Sequence, residues 1–356
     1  MSRVRTVQLL DFEAITDDGF VDWLASTNQT VVVSHSNKLL AAGRTVRGAL
    51  EINQAPFERV TGVSVAPDGS LVVAAQHELW RMTDSLSDGE ASPTGADRWL
   101  MCRTARFVGG VRPADPVATS DDCWFASVAL SAVCSLDDTF SAKVRWVPPF
   151  ITEVRPETRC RLTGLGSIDG RPRVVTSMST SNVAGGWTEH QLAGGVLIDI
   201  LTDEVLAEGL SMPHSPRWHD GAWWLLQAGT GELGYIDAGR FVAVARIDGF
   251  ARGLTISRGV GLVGGSGSRW DELVAGLPVG QRLQASGRRP DSGVFLFDLV
   301  SGRAVGEMRL DGTAREVADV VVLEHTRSAE LSAPRSAVAQ DWTTYPLDTD
   351  LSTGEG

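Results

Sequence analysis

The sequence predicts an all-β protein, a single β-propeller of six blades with seven as the alternative, preceded by a short N-terminal helix. Three observations predict it. Short apolar runs bounded by Gly, Asp and Pro fill almost the whole chain. Turn dipeptides recur at a step of roughly fifty residues, the length of a four-stranded blade. A hairpin pattern also repeats in the second half of several steps.

The helix comes first in the chain. Thr16 or Asp17 can cap a segment running from Gly19 to Ala25 that places Phe20, Trp23 and Leu24 on one face. The runs that follow are rich in Val, Ile, Leu and Trp and read as strands: Thr30–Ser34, Leu71–Ala75, Trp124–Val128, Val174–Thr176, Val196–Ile200, Trp223–Gln227, Gly261–Gly264, Val294–Leu299 and Val317–Leu323. Between them, Asp68-Gly69, Asp169-Gly170 and Asp220-Gly221 each sit before a strongly apolar strand, and Asp121-Asp122 and Arg258-Gly259 fit the same place. Such a unit cannot bury both of its faces alone, so the units must stack around an axis.

The back halves share a plan of their own. In GGVLIDILTDEVLAEGL, ELGYIDAGRFVAVARIDG and GVFLFDLVSGRAVGEMRLDG, a strand ends in Asp199, Asp237 or Asp298, a short turn follows, and a second strand returns. This is the outer hairpin of a blade. The early strand at Thr30–Ser34 and the late one at Val317–Leu323 would close the ring by sharing one blade between the two chain ends. The expected organisation is a helix-bearing segment over 1–29, the propeller over 30–327 and a tail over 328–356, whose last residues, LDTDLSTGEG, read as mobile.

Composition narrows the function. The chain of 356 residues carries a formal charge of −12, with 44 acidic against 32 basic side chains, which argues against a nucleic-acid or anionic-membrane surface. No apolar run reaches bilayer-spanning length, and the N-terminus lacks the pattern of a signal peptide, so the expectation is a cytoplasmic protein. Cys102, Cys123, Cys134 and Cys160 form no C-x-x-C pair and read as free, mostly buried thiols. Only Lys38 and Lys143 are lysines, which disfavours Schiff-base chemistry. The tryptophans, including Trp218, Trp223 and Trp224, read as packing between blades, and the glycine-rich segments 229–234 and 261–267 as tight strand turns.

Residues just ahead of the innermost strands open on one end face of a propeller and are its natural ligand contacts. Those positions hold Arg59, Arg159, Arg161, His214, Arg217 and Arg252. If they converge, an acidic protein has a cationic mouth suited to a carboxylate or phosphate. The structural alternative is that each arginine pairs with a neighbouring carboxylate such as Glu58, Glu157 or Glu232. The six histidines show no metal-binding spacing. His214, in a Pro-flanked loop, is the one assigned to the site.

The segment GLSMPHSPRWHDGAWWLLQAGTGELGYID, residues 209–237, resembles an uncharacterised bacterial family of conserved hypothetical proteins marked by S-M-P-H-S-P-R-W-H. The resemblance extends to Trp146, Pro148, Pro149 and Phe150, to Glu157, Arg159, Cys160, Leu162 and Gly164, to Gly194–Asp199, and to Phe250, Arg252, Gly253 and Leu254. It implies a single-domain propeller and supplies no reaction. It also implies departures at polar positions. Arg161 and Thr163 stand where the family has His and Asn, Thr158, Gln227, Ala228 and Ala132 replace other polar or cysteine residues, and FVGGVRPADP replaces a segment with two histidines. A histidine-lined metal site, if the family has one, would be partly lost here.

The leading expectation is a propeller that binds a small anionic or amino-acid-like molecule, or a peptide carboxylate, in its central channel and acts on it in a specialised biosynthetic pathway. His214 would serve as acid/base because imidazole titrates near neutrality, with Glu232 orienting it or supplying a carboxylate. Arg159, Arg161, Arg217 and Arg252 would hold the anion. Hydrolysis, lyase chemistry and cyclisation all fit, and the sequence does not choose between them. No cofactor is called for; a metal ion at the channel mouth is the alternative. The rival from another class is a non-catalytic propeller that docks a protein partner.

Overall fold

A computed structural model describes residues 4–9, 11–119, 122–267, 276–312, 316–334 and 336. They form six β-sheets arranged as the blades of a propeller. The innermost strands are, in ring order, Val317–Leu323, Gly62–Val65, Pro113–Ala118, Leu162–Ile168, Pro213–His219 and Phe250–Ser257. Each touches the next, and the last touches the first.

Blade 1 joins the two ends of the chain as expected. Val317–Leu323 pairs antiparallel with Thr30–His35, which continues through Lys38–Arg44 to Leu50–Pro56. Blades 2 to 6 then follow in sequence order, each beginning at its inner strand. The hairpins that leave the inner strands are the predicted ones. Asp169-Gly170, Asp220-Gly221 and Arg258-Gly259 each have positive φ at both residues, the geometry of a type I′ turn, whose twist matches that of the strands it joins. At Asp68-Gly69 only the glycine has positive φ, and Asp121 of the Asp121-Asp122 dipeptide lies outside the described residues, as does the LDTDLSTGEG tail.

Additional strands lie on both sides of the bounds read from sequence. Arg5–Gln8 and Phe12–Thr16 extend the outer edge of blade 6 by pairing onto Ala304–Gly312. Ala329–Ser332 runs parallel to Arg98–Phe107 at the outer edge of blade 2. These strands cover edges that would otherwise present unpaired backbone to solvent.

The helix α1 spans Asp18–Thr27, with Asp17 as its N-cap accepting from the Phe20 N–H at 2.9 Å. Phe20, Trp23 and Leu24 are buried in a cluster with Met308, Leu310, Val31 and Val33, so α1 packs where the first and last blades meet. A second helix that the strand reading did not anticipate, α2, covers Pro278–Ser286 and begins with Pro, which is favourable in a first helical turn. Its Val279 and Leu283 pack with Met178, Trp187 and Met212, beside the channel mouth.

All four cysteines are free. Cys123, Cys134 and Cys160 are buried and Cys102 is half-buried, and burial pushes the thiols of Cys102, Cys123 and Cys134 up to about 12. Trp23, Trp99, Trp187, Trp223 and Trp224 are buried, as packing residues should be, whereas Trp218 departs from that reading: it is exposed, with its ring centroid 5.1 Å from that of Trp223. Among the described residues no helix is long and apolar enough to cross a membrane.

Candidate functional site

The inner strands form three alternating pairs, and that alternation builds the channel. Thr61-Gly62 and Thr163-Gly164 occupy equivalent places in blades 2 and 4. Each threonine hydroxyl donates at 2.6 Å to a proline carbonyl of the following blade, Pro113 and Pro213. Each glycine lies against the next blade's backbone and proline ring; a Cβ on either would stand 2.5 Å from the Pro116 or Pro216 ring. Gly253 in blade 6 approaches Asp319 and Val320 of blade 1 in the same manner. Ser215, Asp115 and Asp319 then accept from backbone N–H groups of the blade that follows each, those of Gly253, Leu165 and Val63.

Midway along the axis this arrangement closes the channel. Arg217 grips Asp115 with both arms, at 2.7 and 3.1 Å, and donates through Nε to the Leu254 carbonyl at 2.8 Å. Asp319 lies 3.8 Å from the same guanidinium. Burial, and then the Asp115 charge, push the Asp319 carboxyl upward against the pull of Arg217. Beyond this layer is a cavity of about 360 Å³, bordered by Val65, Val117, Ser167, Thr255 and Val321.

At the other end lies the predicted mouth. A cavity of about 90 Å³ is lined by Arg59, Arg112, Arg161 and Arg252, from blades 2, 3, 4 and 6, with Glu316 as the lining carboxylate. Arg59, Arg112 and Arg161 stand at the starts of their inner strands with φ of 45°, 54° and 59°. Left-handed backbone at bulky residues is costly and tends to be kept where it aims a side chain.

The guanidiniums are crowded. Arg161 lies over the Trp187 ring at 4.3 Å. Burial, together with Arg252 and Arg112, lowers it to about 9 against the counter-pull of Glu316. Burial and the neighbouring Arg59 likewise lower Arg112. Arg252 pairs with Glu316 at 3.1 Å. The Nε atoms of both Arg161 and Arg252 are buried without a hydrogen-bond partner.

His214 sits behind this wall. It is 6% exposed, edge-on to Phe250 at 5.9 Å, and its Nε2 has no partner. Burial, then Arg252 and Arg161, lower its basicity well below the ordinary 6.5, opposed only by a hydrogen bond to the Thr163 backbone. The ring is therefore neutral at pH 7, and the premise that it titrates near neutrality is corrected: two cations and a dry setting both disfavour its charge.

The other sequence-assigned residues lie elsewhere. Arg159 bonds Glu157 at 2.9 Å and Asn182 at 2.9 Å, which is the structural alternative raised for it. Arg217 belongs to the closing layer. Glu232 stands on the third strand of blade 5, opposite Gln227 and Arg246, and does not line the cavity. Conversely, Arg112 and Glu316 line the mouth and were not singled out. The signal for Arg112 was present: Arg112-Pro-Ala-Asp-Pro116 repeats the Pro-x-x-Pro spacing of Met212-Pro-His-Ser-Pro216. Among the described residues no group of three or more His, Cys, Asp and Glu could hold a metal ion.

Solved structures resemble this chain at low identity. A chain in the crystal structure of a nidogen/laminin complex gives a TM-score of 0.50 at 10% identity, covering 83% of this chain and 99% of that one. A gluconolactonase from Xanthomonas campestris gives 0.45 at 13%, covering 80% and 86%. Virginiamycin B lyase from Staphylococcus aureus gives 0.42 at 11%, covering 87% and 100%. At 10% identity the first likeness shows the fold alone. No curated protein matches the sequence. The sequence does match DUF4915, described as a domain of unknown function, from the start of α1 at residue 18 to residue 331 in the added strand of blade 2, and the protein therefore belongs to that family.

Proposed function

We propose that the protein binds the anionic group of a small molecule at the mouth of its central channel. One observation carries this reading: among the described residues, four guanidiniums from four blades converge on one cavity with a single lining carboxylate. Gathering like charges in a partly buried place costs stability unless a ligand repays it. The buried Nε donors of Arg161 and Arg252, which have no hydrogen-bond partner, add to that cost. The small volume admits an anionic group and leaves the rest of the molecule outside, since whole-ligand pockets typically run to ~300 Å³ or more.

Chemistry on the bound molecule is the second half of the reading. Glu316 is the carboxylate placed to touch a ligand, while His214 acts on the site through the two arginines in front of it. The test is isothermal titration with small carboxylates and phosphates at low ionic strength, on the wild-type protein and on Arg161→Gln and Arg252→Gln. The expected result is saturable binding weakened at least tenfold by either change. Folded protein that takes up no anion would end the reading.

A further inference from the structure

Deepening the anion-binding reading, on which it rests, we infer that the mouth is built for a phosphoryl group, as free phosphate or as the head of a phosphate monoester, in preference to a carboxylate. The same channel shows what a carboxylate needs. Asp115 pairs with one guanidinium, Arg217, whose two arms meet its two oxygens, the planar fork-to-fork match that favours this pairing, with the Leu165 N–H as a further donor. At the mouth, Arg252 already has a carboxylate partner in Glu316, met by one arm at 3.1 Å.

That leaves Arg59, Arg112 and Arg161 lining one small space from three successive blades. Donors arriving from several directions around an axis suit a tetrahedral group with three terminal oxygens. A planar group with two oxygens would leave part of the ring unanswered. Charge points the same way. A monocarboxylate neutralises one of the arginines beyond the Arg252–Glu316 pair, whereas a phosphoryl dianion neutralises two, in a setting where burial and neighbouring guanidiniums lower Arg161 and, at the rim, partial burial and Arg59 lower Arg112. The cavity of about 90 Å³ matches a head group of this size.

The experiment is titration of the full chain at pH 7.5 with inorganic phosphate, glycerol phosphate, succinate and acetate. Phosphate or its ester should bind at least tenfold more tightly than succinate. Tighter binding of the ester than of phosphate identifies a monoester ligand; the reverse order identifies free phosphate. Arg161→Gln should lose at least tenfold in phosphate affinity. Arg112→Gln, at an exposed rim position, should lose at least threefold while leaving the fold intact by circular dichroism, which keeps the test valid if Arg161→Gln fails to fold. Succinate or acetate binding as tightly as phosphate overturns the phosphoryl assignment and leaves anion binding standing. Absence of binding by every probe overturns both.

Discussion

A histidine behind two arginines shows how far position alone can change a side chain. His214 was assigned as an acid/base from its type and its loop, yet burial and the charges of Arg252 and Arg161 hold it neutral. Between the ordinary value and the lowered native one, the unfolded chain binds a proton that the native protein does not. Stability from this group is therefore present above about 6.5 and is lost as pH falls toward the native value, by up to about 1.4 kcal/mol per pH unit. Urea unfolding of wild-type protein and His214→Gln at pH 7.0, 6.0 and 5.0 measures this. The variant should show the flatter profile, and equal slopes would contradict the placement. Arg159 shows the opposite lesson: an arginine at a ligand-contact position can be consumed by Glu157 and Asn182 before any ligand arrives.

The inner strands are specified by contacts that no single strand reveals. Thr-Gly in one blade meets Pro-x-x-Pro in the next, through the Thr61–Pro113 and Thr163–Pro213 hydrogen bonds and the close approach of Gly62 and Gly164 to the following proline. In Gly164→Ala the new Cβ would lie 2.5 Å from Pro216 Cδ and 2.7 Å from the Ser215 nitrogen. Backbone there must shift, and the expected loss is about 1–3 kcal/mol. Gly170→Ala is the comparison, since its added methyl meets nothing within 4 Å and only its φ of +71° is strained, a cost of about 1 kcal/mol. Denaturant midpoints should place Gly164→Ala as the less stable of the two; the reverse order would mean that the inter-blade contact is loose.

At the scale of the whole molecule, stability depends on a ring closed by the inner strand that comes last in the chain. Val317–Leu323 completes blade 1 against Thr30–His35 and buries Val317, Val320 and Leu323 in two neighbouring core clusters. It also brings Asp319 to the Arg217 layer and Glu316 to the mouth. A chain ending before residue 316 would leave blade 1 without its inner strand and its apolar neighbours exposed. The expected product is an aggregating or molten chain, with no near-ultraviolet circular dichroism and no monomer peak on gel filtration. A folded monomer would show that closure is dispensable. The channel is also a whole-molecule property. Its closing layer takes Asp115, Arg217 and Asp319 from blades 3, 5 and 1, and the mouth takes arginines from four.

Much of the architecture was legible because local chemistry fixes it. Asp-Gly pairs set the hairpins after the inner strands, alternating apolar runs set the strands, and Asp17 with Phe20, Trp23 and Leu24 set α1. These depend on backbone preferences and periodicity within a few residues, which is the information a sequence carries directly. The convergence of Arg59, Arg161 and Arg252 could be expected from their equivalent places in the repeat. Tertiary structure decided which charged groups line the mouth. Arg159, Arg217 and Glu232 went elsewhere, Arg112 and Glu316 joined the mouth, and His214 lost its charge. Pairing and burial depend on groups that lie tens to hundreds of residues apart, such as Arg252 with Glu316 and Arg217 with Asp115. Closing the ring is what brings those partners together.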